Sequence, residues 1–361
     1  MNTDTDLAEA LHLLLLRLAG RVPDELVSRA RSWLAADRPV DVARGVVFAL
    51  LQSRIGLPGA DAVVLAHVLL AADGNTDALA EVERTADADL PPFRFAPVDP
   101  DTLRLHDDQI AYNLDLTASD PDASSWDEHD SAVLHAVAAQ PGPGVYALWR
   151  AWRYPATETP WPPPRRVYLV QSHGPAHTLP ELTERLQQAL AAAGDPDPQV
   201  ETFTDPDDLP AYQRAALGYA ALLWTAAQTP EVRIAALFDT VDAAGGPGFS
   251  PDHPLLEGTD LDRVSAYLTA GTALLASTVV MDDIVGSDRS VEVPMNFRTD
   301  GHWVWTDATT YYLTRHHLAP DPELVEHVLA RQAADAQADA VALHRAMAAL
   351  QATAFHDDAD R

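Results

Sequence analysis

The chain has 361 residues, 47% of them hydrophobic, and a formal charge of −30, so it can bury a sizeable core in two or three domains and is not a disordered polymer. It contains no cysteine and no lysine, which excludes disulfides, thiolate metal sites, Schiff-base chemistry and the lysine of a Walker phosphate loop. The acidity repels nucleic-acid phosphates and anionic membranes, and it favours a basic protein partner, although acidity also serves solubility.

No apolar run reaches the roughly 18 to 20 residues that span a bilayer. The acidic start and the Arg17 that interrupts "LHLLLLRLAG" argue against a secretory signal. The expectation is a cytoplasmic protein without membrane insertion and without a nucleic-acid partner.

In chain order, the sequence predicts an α+β protein. Residues 1–88 read as an all-α helical domain: "DLAEALHLLLLRLAG", "VPDELVSRARSWLAA", "PVDVARGVVFALLQSRIG" and "PGADAVVLAHVLLAADG" carry apolar residues at helical spacing and stop at or near glycine. Residues 89–330 read as an α/β domain with a mixed sheet. A capping box, Ser125-Trp-Asp-Glu128, opens a helix. "GVYALWRAWRYP" leans towards helix or irregular structure. "RVYLVQ", "QVETF" and "VRIAALFD" are strands, separated by a helix opened by the box Thr178-Leu-Pro-Glu181 and by the helical "LPAYQRAALGYAALLWTAA". A β-meander follows: "VEVPMNFR" alternates apolar and polar residues, and Asp300-Gly301 signals a hairpin. Thr306 is placed to cap the next helix. Residues 331–361 are an Ala-rich C-terminal segment, part of one long helix from Pro322 to about Phe355, and a tail. Asp-Pro pairs at 99, 120, 195, 205 and 321 punctuate these elements as turns.

Several side chains invite a functional reading. Ser172 and His173 lie in a strand-to-helix loop, where open α/β sheets collect ligands, and serine beside histidine is a nucleophile–base pairing. Yet the loop is not G-x-S-x-G and no orienting acid is in view. Asp239 precedes a Gly-rich loop that lacks phosphate-binding spacing. Arg150, Arg153, Arg165 and Arg166, interleaved with Trp149, Trp152 and Trp161, could fork onto an anion or pair with carboxylates of the chain itself. "DEHD" at 127–130 and the pair His316-His317 do not converge on an ion by spacing alone, so no metal and no cofactor are expected. Trp303, Trp305, Tyr311 and Tyr312 fit a local core, with Arg298, Asp300 and His302 as the exposed candidates on the hairpin rim and Trp303 as a further binding candidate.

The segment Arg298-Thr-Asp-Gly-His-Trp303-Val-Trp305-Thr-Asp307 with Tyr311-Tyr312-Leu313, together with "LWRAWRYP…PWPPPRRVYLV", resembles uncharacterised acidic proteins of high-GC actinobacteria over residues 95–330. That resemblance implies no catalytic residue. Short D-G-x-W-x-W endings are also similar to those of some bacterial immunity proteins. Two functions are compatible with these readings. One is a non-catalytic, acidic interaction protein, immunity-like or regulatory, that binds a basic protein. The other is an enzyme or small-molecule or anion binder at the strand ends.

Overall fold

Leu11, Leu14, Leu15 and Leu18 share one face of the first helix, α1 (Thr3–Leu18), and are essentially inaccessible to solvent. They meet α2 (Asp24–Ala35), α3 (Pro39–Ser53) and α4 (Gly59–Asp73) in a continuous apolar core that includes Val27, Val46, Leu50 and Leu65. The computed structural model describes residues 3–85, 93–106, 110–117, 126–139, 144–155, 163–228, 230–242, 246–286 and 292–359. The protein is α+β, and its chain divides into two compact units, Met1–Ala227 and Gln228–Arg361. No helix among the described residues is long and apolar enough to cross a membrane.

In the first unit the helices lie against a six-stranded mixed sheet. Its order is Leu114–Asp115, Ala221–Thr225, Val145–Pro155, Arg165–Ser172, Gln199–Phe203, with Phe93–Ala96 also on Val145–Pro155. The pair Arg165–Ser172 and Gln199–Phe203 is parallel, and the helix Leu179–Ala192 connects the two strands. Tyr168 and Val170 face Leu182, Leu186 and Leu190 of that helix. Val167, one residue out of phase, packs with Ala19 and Tyr212. A strand with apolar cover on both faces shows continuous burial rather than alternation.

The sequence reading separates a helical domain at 1–88 from the sheet, but the helical layer is tied to the sheet by polar contacts. Arg31 of α2 pairs with Glu201 of the edge strand at 2.6 Å, with the two side chains 1% and 0% exposed. Gln187 donates to Ser28 O at 3.0 Å, and His12 of α1 meets Thr202 O at 2.9 Å. The two compact units divide between 227 and 228, with the helical layer and this sheet in the same unit.

The second unit holds a four-stranded sheet ordered Thr272–Leu275, Phe297–Thr299, Trp303–Thr306, Arg233–Ile234. Two further hairpin ladders pair Thr240–Asp242 with Gly246–Gly248 and Val280–Asp282 with Glu292–Pro294. The Asp300-Gly301 turn joins Phe297–Thr299 to Trp303–Thr306, with Thr299 opposite Val304. Gly301 sits at φ +87, and a Cβ there would lie 2.8 Å from the Ala342 methyl. Both the backbone sign and the close approach call for glycine. Trp303 and Trp305 are buried with Val264, Tyr267, Leu268 and Leu313, so this aromatic stretch is core.

Four readings of local structure are corrected. "GVYALWRAWRYP" is the long strand Val145–Pro155, buried continuously through its middle; its arginines are buried and paired, so they break the apolar run that would mark such a strand. "LPAYQRAALGYAALLWTAA" divides into the helix Ala211–Leu217 and the strand Ala221–Thr225, because the helix closes at Gly218 through its amide and Arg214 O. Pro294 ends one short strand, and the chain resumes as a strand only at Phe297. The long C-terminal helix is Pro322–Leu329, a 3-10 turn at Ala333–Ala336, and then Ala340–Ala359. The break follows a local capping box between Gln332 and Asp335.

Turn chemistry is clearest at the Asp-Pro pairs. Asp99, Asp195, Asp205 and Asp321 each accept from the backbone N–H two residues on, at 2.9 to 3.1 Å. This is the Asx turn that a short carboxylate favours. Asp120-Pro121 lies outside the described residues, as does Ser125. The helix that Ser125 was expected to cap, Glu128–Ala138, is capped by Asp127. The Thr178 box does not close, since that hydroxyl donates to Pro175 O at 2.7 Å.

Candidate functional site

The Ser172 hydroxyl donates to Gly144 O at 2.7 Å and accepts from the Gly174 amide at 3.0 Å. Both its donor and one acceptor lobe are occupied in closing the loop. His173 is exposed and stacks on Tyr146 with ring centroids 4.0 Å apart. No hydrogen bond joins Ser172 to His173 or His177 among the described residues. Asp239 belongs to the other unit, beyond the short strand Arg233–Ile234. It accepts from Ser250 N at 2.6 Å and from His253 Nδ1 at 2.9 Å. Those hydrogen bonds hold its carboxyl below the ordinary aspartate value.

The four candidate arginines, Arg150, Arg153, Arg165 and Arg166, all meet carboxylates of their own chain. Arg150 pairs with buried Asp130, which also accepts from the Tyr168 hydroxyl at 2.7 Å. Arg153 forks onto Asp24 at 2.5 and 2.9 Å and reaches the Tyr212 hydroxyl at 3.2 Å. Arg165 sits among Asp24, Asp195 and Asp197 at 3.2 to 3.8 Å. Arg166 pairs with Asp127 and lies over the Trp152 ring, 4.8 Å from its centroid. The "DEHD" aspartates are thus arginine partners. Trp161 lies outside the described residues.

Around the hairpin, Arg298 donates to Asp307 at 2.6 Å and to Gly271 O at 3.0 Å. Trp303 is buried, and so is Asp300, contrary to the expectation that it sits on an exposed rim. One Asp300 oxygen accepts from the His302 and Trp303 amides at 2.8 Å each. The other accepts from the Tyr267 hydroxyl at 2.7 Å and from His327 Nε2 at 2.5 Å. His302 alone of the four is exposed.

Sequence reasoning missed the second unit's Asp–His pairs, whose partners are far apart in the chain. Besides Asp300–His327 and Asp239–His253, Asp283 meets His316 at 2.8 Å and Tyr311 at 3.1 Å. Asp283 also accepts from the Val285 and Gly286 amides. Burial raises its carboxyl, but these donors outweigh burial and bring it down to about 2. Asp300 and Asp283 also shape turns through the amides two and three residues on, and Asp239 takes the Ser250 amide across a longer loop, so each pair fastens a loop to a helix or a second loop. Among the described residues no group of three or more His, Asp or Glu is placed to hold a metal ion.

Two clefts of the first unit went unforeseen. One, of about 700 Å³, is lined by Phe93, Phe95, Tyr112, Tyr154 and Tyr219, with exposed Arg94 on its wall. The other, of about 140 Å³, lies at the carboxyl ends of the two parallel strands. Glu9, His12, Leu13 and Leu16 of α1 enter it at the spacing of a single helix face. Phe203, Asp205 and Asp208, from the end of Gln199–Phe203 and the turn after it, close the other side. His12 is 3% exposed. Its Nε2 meets Thr202 O, and its Nδ1 has no partner. The sequence signal was one histidine in a leucine run.

Burial in this apolar setting pulls the His12 imidazole down to about 4, against the opposing hydrogen bond to Thr202. The folded state therefore holds it neutral while the unfolded chain protonates near pH 6.5. Its stabilising effect is complete above pH 6.5 and is lost as pH falls from 6.5 towards 4, by roughly 3 kcal/mol in all. Urea unfolding across that range should show a steep loss of stability that His12→Gln flattens. An unchanged slope in the variant would exclude His12 as the titrating group. No protein-family model, curated protein or solved structure matches the chain.

Proposed function

We propose that this chain is a non-catalytic, acidic interaction protein, immunity-like or regulatory, that binds a basic protein partner. The observation that carries the reading is the fate of the charges. Arg150, Arg153, Arg165 and Arg166 are taken up by carboxylates of their own chain. Exposed Glu181, Asp207, Asp208, Asp260 and Asp262 have no cationic partner among the described residues. A formal charge of −30 then acts outward, steering cationic partners and accelerating encounter. Ser172 closes a loop and Asp239 is held by Ser250 and His253, while His173 stacks on Tyr146 apart from both, which supports recognition over bond-breaking.

A short peptide alternating Arg and Ser, labelled for fluorescence anisotropy, tests the reading. It should bind the full chain at low salt and weaken steeply as salt rises, while an Asp-Ser peptide stays free. Failure of the Arg-Ser peptide to bind even at low salt would refute the proposal.

A second reading, a small-molecule or anion binder, is favoured by the cleft of about 700 Å³, a volume typical of ligand sites. Its aromatic walls and the Arg94 guanidinium suit a planar anion. A rise in melting temperature with an aromatic carboxylate, abolished by Arg94→Ala, would support it.

A further inference from the structure

We infer that the small cleft between α1 and the 203–209 segment is a receptor for one arginine side chain of the basic partner. This deepens the proposed function and rests on it. Three independent features converge.

The first is the acidic rim. Glu9, Asp205 and Asp208 all line the cleft, and no arginine does. Glu9 and Asp208 make no hydrogen bond or ion pair with any described residue. Asp205 spends one oxygen on the Asp207 amide at 2.9 Å and keeps the other. Most carboxylate oxygens at the mouth are therefore free to accept.

The second is His12. Its ring is buried, its Nε2 is directed at a backbone carbonyl, and its Nδ1 is unpartnered. A carbonyl requires a donor, so the proton sits on Nε2 and Nδ1 presents a lone pair. The ring lines the cleft, and Nδ1 is itself closed off from solvent; a buried acceptor left unmatched costs free energy that a donor reaching it would recover. Arg31, the cation that acts on His12 from within the protein, is already held by Glu201 at 2.6 Å and does not line the cleft.

The third is size and floor. Leu13, Leu16, Leu179 and Phe203 make an apolar base under the acids. A cavity of about 150 Å³ accommodates benzene, roughly six heavy atoms. The guanidinium with its two adjacent methylenes has the same count, and this cleft measures about 140 Å³. An arginine places its stem on the apolar floor and its planar fork among several acceptors in different directions. A lysine ammonium, compact and strongly hydrated, satisfies the same set less well.

The test uses the full chain, labelled with ¹⁵N-histidine, the Arg-Ser peptide and a Lys-Ser peptide of equal charge. Two double variants of equal charge change are compared: Glu9→Gln with Asp208→Asn at the cleft, and Asp260→Asn with Asp262→Asn on the other unit. Arg-Ser peptide should shift the His12 ring-nitrogen signal. The cleft variant should weaken Arg-Ser binding about tenfold, the control variant at most about twofold, and the Lys-Ser peptide should bind several-fold more weakly. Equal loss in the two variants with an unmoved His12 signal would overturn the arginine receptor while leaving the basic-partner reading intact. If neither peptide binds the unsubstituted chain, both fall. Melting curves of the variants verify that the fold is kept.

Discussion

Replacing Glu201 with alanine is expected to destabilise the first unit by about 3–5 kcal/mol. Glu201 and Arg31 lose nearly all contact with water. Glu201 Oε2 receives both Arg31 and Gln213 Nε2, the latter at 2.9 Å. Deleting the carboxylate leaves a guanidinium buried without a counter-charge, which is far worse than having no ion pair. Arg31 Nη1 and Glu201 Oε1 lack partners, so the pair recovers only part of its desolvation cost. The double variant Arg31→Met with Glu201→Leu should therefore return to within about 1 kcal/mol of the parent. Urea unfolding monitored by tryptophan fluorescence reads both. A double variant as unstable as Glu201→Ala would show that the apolar pair cannot fill the site.

Asp300→Ala should cost the second unit a similar amount, about 3–5 kcal/mol. It removes the acceptor for two amides, the Tyr267 hydroxyl and His327 at once. Asp300→Asn keeps the oxygen for the amides but turns an NH₂ towards Tyr267 and His327, so it should cost less, about 1–3 kcal/mol. Burial raises the Asp300 carboxyl, and the hydrogen bonds from Tyr267, Trp303, His302 and His327 overcome that and depress it. A depressed carboxylate stabilises above its unfolded value, near pH 4, and the benefit is lost as pH falls below that towards the folded value. His327 is lowered as well, chiefly by burial, against the pull of Asp300. Its contribution is lost as pH falls below about 6.5. Acid thus weakens this corner twice, and Asp300→Ala should remove the lower of the two transitions. An unchanged acid profile in Asp300→Ala would contradict the role assigned to the carboxylate.

Local chemistry was the legible part of this chain. Leucine spacing placed α1, and the Asp-Gly pair placed the turn between Phe297–Thr299 and Trp303–Thr306. The Asp-Pro pairs became Asx turns because the chemistry needs only three consecutive residues. What resisted reading was long-range pairing. Arg150 and Arg153 interrupt the apolar pattern of a strand that is buried because Asp130 and Asp24 meet them there. Nothing local to 145–155 announces partners at such separations. The small cleft shows the same division. Strand-end reasoning pointed to the carboxyl ends of the parallel strands, and the cleft is there. It settled on Ser172, whose hydroxyl closes a turn, and overlooked His12, which reaches the same end from a helix remote in sequence.

Hydrogen exchange of the full chain, with and without saturating Arg-Ser peptide, tests most directly whether the acidic surface is the functional one. New protection should fall on the 203–209 segment and the first turns of α1. Protection confined to the Ser172 loop or to the strands bearing Arg150, Arg153, Arg165 and Arg166 would contradict it.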